Sequence, residues 1–119
     1  MVTGTRDGEA VSTDWVIDCL EAVDPDFVIL GDCPTGVDAK ALYWCKTSLR
    51  PEQYKVHRAD WDAARRAGNV RAAGPIRNAA MVAHAVELGA LVLAFPRGGP
   101  GTADCMRQAR AAGLVVEVL

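Results

Sequence analysis

Short apolar runs alternate with longer stretches of helical periodicity along the whole chain, and this alternation restricts the possible folds more than any other feature. Phe27-Val28-Ile29-Leu30 is continuously apolar and ends at Gly31; Leu91 to Phe95 is the most apolar run of the chain. A strand that is apolar at every position, rather than at alternate ones, is covered on both faces. Met1-Val2-Thr3, ended by Gly4, reads as a short first strand, and Leu114 to Val118 as the last. Tyr54-Lys55-Val56-His57 is more polar and belongs at an edge. Four helices are expected between these strands. Ala10 to Val23 places Val16, Ile17, Leu20 and Val23 on one face, with Ser12 or Thr13 as cap. Gly36 to Leu49 turns Val37, Ala41, Leu42, Cys45 and Leu49 inward and is closed by Pro51. Pro75 to Leu88 carries proline in its first turn and Gly89 at its end. Thr102 to Ala112 is closed by Gly113. Asp60 to Ala67 reads as a short helix or turn, and the glycine- and alanine-rich stretch from Ala67 to Gly74 as irregular.

Strands alternating with helices define the α/β class. Right-handed crossovers then give a three-layer Rossmann-like sandwich on a mainly parallel five-stranded sheet, most simply in the order 3-2-1-4-5. The 119 residues suffice for one domain, 1–119. Half of them are hydrophobic, which excludes a disordered chain. No apolar run approaches a membrane span, and the first residues lack the apolar stretch of a leader, so a cytoplasmic protein with no membrane partner is expected. The net charge of −2 argues against a partner held by bulk charge, so nucleic acid is not the expected ligand. Cys19, Cys33, Cys45 and Cys105 form no Cys-x-x-Cys pair, and neither His57 nor His84 lies near one in sequence. No metal and no cofactor are implied. Cys19 and Cys45 are expected to be buried thiols, while the glycine-rich settings of Cys33 and Cys105 leave both open.

In an open α/β sheet, ligands bind beyond the carboxyl ends of the strands where the strand order reverses. Here that point lies between the first and fourth strands. Its loops are Gly4-Thr5-Arg6-Asp7 and Pro96-Arg97-Gly98-Gly99-Pro100-Gly101-Thr102. The second follows an apolar strand and opens a helix, whose unpaired amides and positive end favour an anion. Thr102 can cap that helix or offer its hydroxyl to the anion. A tight turn that binds nothing accounts for the glycines equally well. The loop is neither a P-loop nor a dinucleotide fingerprint. Arg6 suits a bidentate phosphate contact, or a surface pair with Asp7 or Glu9. Asp38, after Gly31 and Gly36, suits the helix dipole or a sugar hydroxyl. Arg77 and Asn78 follow Pro75 at a helix start, where positive charge is unfavourable; a ligand would account for the arginine, or a solvated surface position. Trp61 suits packing or stacking on a base.

Five segments in order carry a resemblance over nearly the whole chain: Val-Thr-Gly-Thr-Arg at 2–6, Gly-x4-Gly-x-Asp at 31–38, Ala-Asp-Trp at 59–61, Ala-Gly-Pro-Ile-Arg-Asn-x-x-Met at 73–81 and Phe-Pro-x-Gly-Gly-x-Gly-Thr-Ala-Asp at 95–104. Together they resemble the SLOG superfamily, the Rossmann-like group that includes the Lonely Guy phosphoribohydrolases and the DNA-processing protein A. Within it the chain is most similar to the YspA-like family of bacteria and phages. The resemblance implies a site for a nucleotide or nucleotide derivative. In the Lonely Guy enzymes a Pro-Gly-Gly-x-Gly-Thr-x-x-Glu loop binds phosphate and supplies a catalytic glutamate, and an Arg-Lys-x-x-Met helix start supplies a catalytic arginine. Here Gly98, Gly99, Gly101 and Thr102 match the loop, while Arg77 and Met81 match the helix, with Asn78 in place of lysine. The glutamate position falls on Cys105, which leaves Asp104 as the nearest carboxylate. Arg97 is an addition to the pattern. The first strand is short beside the family's usual start, so a few further residues are expected ahead of it.

The expected ligand-binding set is therefore Gly4, Arg6, Gly31, Asp38, Asn78, Gly98, Gly99, Gly101 and Thr102, with Arg77 and Asp104 as the catalytic candidates. The expected function is nucleotide binding, with hydrolysis of an N-glycosidic bond of a nucleoside monophosphate as the reaction the resemblance implies. The alternative is a non-catalytic nucleotide sensor or a DNA-associated module; Cys105 favours the sensor. A homodimer is also expected, through Tyr43, Trp44, Met81 and Val82 on the helices from Gly36 and Pro75.

Overall fold

The computed structural model describes residues 1–119, all of the chain. Five strands, β1 (Val2–Gly4), β2 (Val28–Gly31), β3 (Tyr54–His57), β4 (Val92–Phe95) and β5 (Val116–Val118), alternate with five helices. These are α1 (Thr13–Val23), α2 (Gly36–Ser48), α3 (Trp61–Arg66), α4 (Ala73–Leu88) and α5 (Pro100–Ala111). Short 3-10 turns at Pro51–Gln53 and Val70–Ala72 precede β3 and α4.

All strand pairings are parallel. β4 lies between β1 and β5, and β3 pairs with β2 alone, so the most apolar strand is central and the most polar one is at an edge. The hydrogen-bonded ladder divides into β1-β4-β5 and β2-β3, with β1 and β2 adjacent where the two parts meet. The spatial order is that of the expected 3-2-1-4-5 sheet, but its ladder is interrupted between positions 2 and 1.

Alternation along the strands divides the core into two layers. Val28 and Leu30 of β2, with Leu93 and Phe95 of β4, pack with Val16 and Leu20 of α1 and Val37, Ala41 and Cys45 of α2. Ile29 and Val92 face the opposite side, with Met81, Val82 and Ala85 of α4 and Cys105 and Ala109 of α5. Continuous apolar strands are thus the sequence form of a sheet that feeds two cores.

Helix ends follow local chemistry. The Ser12 hydroxyl accepts from Trp15 N at 3.1 Å and opens α1. Gly89, at φ 61°, closes α4 in the left-handed conformation. Three helix starts differ from the sequence reading; α1 begins at Thr13, three residues later than Ala10. α5 begins at Pro100 with Gly99 as its cap, so Thr102 lies inside the first turn and is not the cap. Proline needs no amide partner and sets the helical φ, which allows it to lead. α4 begins at Ala73, so Arg77 lies a full turn inside the helix rather than at its start. Of the four residues expected at a dimer contact, Trp44, Met81 and Val82 are buried in the chain's own core and Tyr43 is exposed, while Ile76, Val86 and Leu88 of α4 are the large apolar side chains that this helix exposes.

Candidate functional site

A cleft of about 310 Å³ opens at the carboxyl edge of the sheet, between the ends of β1, β2 and β4. Its lining brings together Gly4 and Arg6 after β1, Gly31, Cys33 and Asp38 around β2 and α2, Arg77 and Asn78 of α4, and Gly99, Gly101 and Thr102 at α5. Thr3, Thr5, Met81 and Pro100 complete it. Two predicted residues are elsewhere. Gly98 lies on the adjoining face with Arg107 and Arg110, and Asp104 is outside the lining.

The α5 start presents backbone donors. Ala103 N makes the first intrahelical bond, to Gly99 O at 3.3 Å, which leaves the amides of Gly101 and Thr102 ahead of the ladder. Thr102 is nearly buried beside them.

The β2 wall is built around Arg77. Its Nη1 donates to Asp32 Oδ1 at 2.6 Å, in an ion pair whose side chains are only 10% and 20% exposed. Its Nε donates to Asn78 Oδ1 at 3.2 Å. Arginine inside α4 therefore has a local partner, and its presence does not by itself call for a ligand. Asp32 is the residue that sequence reasoning passed over. Its signal was its place directly after Gly31 at a strand end, inside a loop already singled out. A Cβ at position 31 would lie 2.7 Å from both Arg77 Nη1 and Asp38 Oδ2, so a larger residue there would displace the ends of these two side chains. Gly4 has a packing role: a Cβ there would stand 2.5 Å from Val37 Cγ2.

Asn78 links two walls. Its amide nitrogen donates to Gly101 O at 3.2 Å and to Asp104 Oδ2 at 3.0 Å. Asp104 also accepts from Gln108 Nε2 at 2.8 Å and pairs with Arg107. Burial pushes the Asp104 carboxyl up, but the Asn78 and Gln108 hydrogen bonds and the Arg107 charge outweigh it, and the net shift is downward. Asp104 is thus an ionised structural acceptor. Asp38 is the contrasting carboxylate. Burial pushes it above its ordinary value, and the Cys33 amide and the nearby arginines offset that only in part. Cys33 N donates to its Oδ2 at 3.2 Å.

Cys105 is fully buried between α4 and α5, and burial pushes its thiol up despite a hydrogen bond with Thr3. It is a core residue. Cys19 and Cys45 are buried as well, whereas Cys33 is half-buried at the cleft. At the outer end of β3, His57 Nε2 lies 3.1 Å from His84 Nδ1. Burial, His84 and neighbouring cations lower the His57 pKa.

Arg6 differs from Arg77 in every respect. It is exposed, it makes none of the chain's ion pairs, and its guanidinium carbon stands 6.0 Å from the centre of the Trp61 ring.

Fold and cleft together define a parallel α/β protein with a polar pocket at its topological switch point. Over 123 residues the chain is 32% identical to the Gene 61 protein of Mycobacterium phage D29, an alignment covering 98% of this chain and 91% of that protein. It belongs to the family of that phage protein. No protein-family model and no solved structure matches it. No helix is long and apolar enough to cross a membrane.

Proposed function

We propose that this chain is a SLOG-type protein that binds a nucleotide or nucleotide-derived ligand, with the phosphate seated at the start of α5. One observation carries the reading: Arg6, Arg77 and the Gly99–Thr102 loop, far apart in sequence, line one cleft of about 310 Å³. Anions are held at helix starts by free amides and by guanidinium groups, and here both converge. Arg77 is neutralised by Asp32, so Arg6 and the amides of Gly101 and Thr102 carry most of the attraction.

The geometry favours binding without turnover. Cleavage of an N-glycosidic bond needs a proton donor or a carboxylate that stabilises an oxocarbenium-like centre. Asp104 is committed to Asn78, Gln108 and Arg107, and Cys105 is enclosed in the core. A hydrolytic reading is favoured by Asp38 alone, the one carboxyl that lines the cleft and is pushed toward its neutral form. Calorimetric titration with a panel of nucleoside monophosphates tests the binding, and analysis of the same mixtures for free base tests turnover. Saturable binding with intact ligand supports the reading. Release of free base replaces it with the hydrolase, and absence of binding removes both.

A further inference from the structure

We propose that Trp61 and Arg6 form a stacking subsite for a planar heteroaromatic base at the mouth of the cleft. The ligand is then a nucleotide with its base attached, not inorganic phosphate or a phosphorylated sugar. This rests on the phosphate-binding reading above and extends it to the other end of the ligand.

Trp61 opens α3 and is 38% exposed, and it belongs to neither hydrophobic core. The exposed indole face is a surface on which a planar ring can stack. It lies close to two residues that line the cleft, Arg77 through Asp32 and Arg6 directly. From one side, Ala59 N, two residues earlier, donates to both Asp32 carboxylate oxygens at 3.4 and 3.3 Å, and Asp32 pairs with the cleft residue Arg77. From the other, the guanidinium of the cleft residue Arg6 stands over the indole.

The Arg6–Trp61 separation of 6.0 Å is at the outer reach of a cation–π contact. Stacked planes approach to about 3.5 Å, so a base between two planes needs about twice that spacing. Arg6 has no carboxylate partner to hold it in place, so a small outward swing admits a base. Nucleic-acid bases stack on aromatic rings and on guanidinium planes alike, whatever their sequence. A single arginine can thus meet the phosphate with its N–H edge and the base with its face.

The test is calorimetric titration of the full chain with adenosine 5′-monophosphate, ribose 5-phosphate and inorganic phosphate, using wild type, Trp61→Ala and Trp61→Phe. The monophosphate should bind about tenfold or more tightly than ribose 5-phosphate to wild type, the usual scale of one stacked base. Trp61→Ala should bring the nucleotide down to the level of ribose 5-phosphate and leave the latter unchanged, which also shows that the fold is intact. Trp61→Phe should keep most of the difference. Equal binding of nucleotide and sugar phosphate by wild type, or a difference that survives Trp61→Ala, overturns the stacking subsite while the phosphate site stands. If none of the three compounds binds wild type, the phosphate site fails, and the subsite with it.

Discussion

At the carboxyl edge of the sheet the cleft holds about 310 Å³, and two of its fourteen lining residues are hydrophobic. At the amino edge a groove of about 290 Å³ is lined by eleven hydrophobic residues of thirteen, among them Val23, Phe27, Leu88 and Leu91. Nearly equal volumes with opposite linings follow from chain direction. In a parallel sheet every strand delivers the chain to the same edge, where the next helix begins. Helix starts carry unpaired amides and positive ends, so this edge suits polar and anionic ligands. The other edge receives helix ends. There Asp24 N donates to Leu20 O at 3.0 Å and Ala90 N to Ala85 O at 2.9 Å, which satisfies carbonyls and leaves apolar side chains to cover the surface. Backbone groups are left open at one edge and closed at the other.

The largest test of this contrast uses two glycines with similar φ. Gly36, at φ 69°, sits under the carboxyl-edge loop, where a Cβ would lie 2.1 Å from Thr5 O. Gly36→Ala should cost about 3–5 kcal/mol, from left-handed strain plus a backbone clash. Gly89, at φ 61° near the amino edge, has open space around a would-be Cβ. Gly89→Ala should cost about 1 kcal/mol. Urea unfolding of both variants checks the pair, and equal losses would deny that the carboxyl-edge loops are the tightly constrained ones.

Next come the ligand contacts. Arg6→Ala should weaken nucleotide binding by about 1.5–3 kcal/mol, the range for a hydrogen bond to a charged group, with little change in stability. Thr102→Val should cost less, about 1 kcal/mol, because the backbone amides remain. Arg77→Ala is the poorer probe: it strands the half-buried Asp32 carboxylate and so confounds binding with folding. Titration calorimetry beside thermal melts separates these effects.

A smaller, pH-dependent effect belongs to Asp38. Its native pKa is raised, mainly by burial, so above the ordinary aspartate value the folded state holds more protons than the unfolded one. Asp38 therefore lowers stability as pH rises from that value to its raised one, and the loss then levels off. Asp38→Asn, which keeps an acceptor for Cys33 N, should gain on wild type between pH 4 and pH 7. Denaturant midpoints at the two pH values decide it; a variant that loses ground to wild type toward neutrality would mean that Arg77 and Arg6 hold Asp38 ionised.

The smallest effect is expected at the amino edge. Leu88 is 53% exposed, and Leu88→Lys should change stability by no more than about 0.5 kcal/mol and leave nucleotide binding untouched. Loss of binding in this variant would tie the two edges together and break the contrast.

Strand and helix order was legible in the sequence because it depends on local periodicity. Phe27–Leu30 and Leu91–Phe95 are apolar at successive positions, and only a strand between two layers uses both faces. Edge and centre were legible for the same reason: β3 is polar and β4 is not. The glycine loops also marked the cleft's location, since parallel topology sends them to one edge. Pairing between side chains remote in sequence was not legible. The sequence could not show that Arg77 meets Asp32 across 45 positions, or that Asn78 meets Asp104 across 26. Nor could it show that Cys105 turns into the core while Arg6 stays unpaired beside Trp61. Periodicity fixes which face of an element is apolar. The charge that a guanidinium or carboxylate retains for a ligand depends on its neighbours in space, and tertiary packing alone selects those.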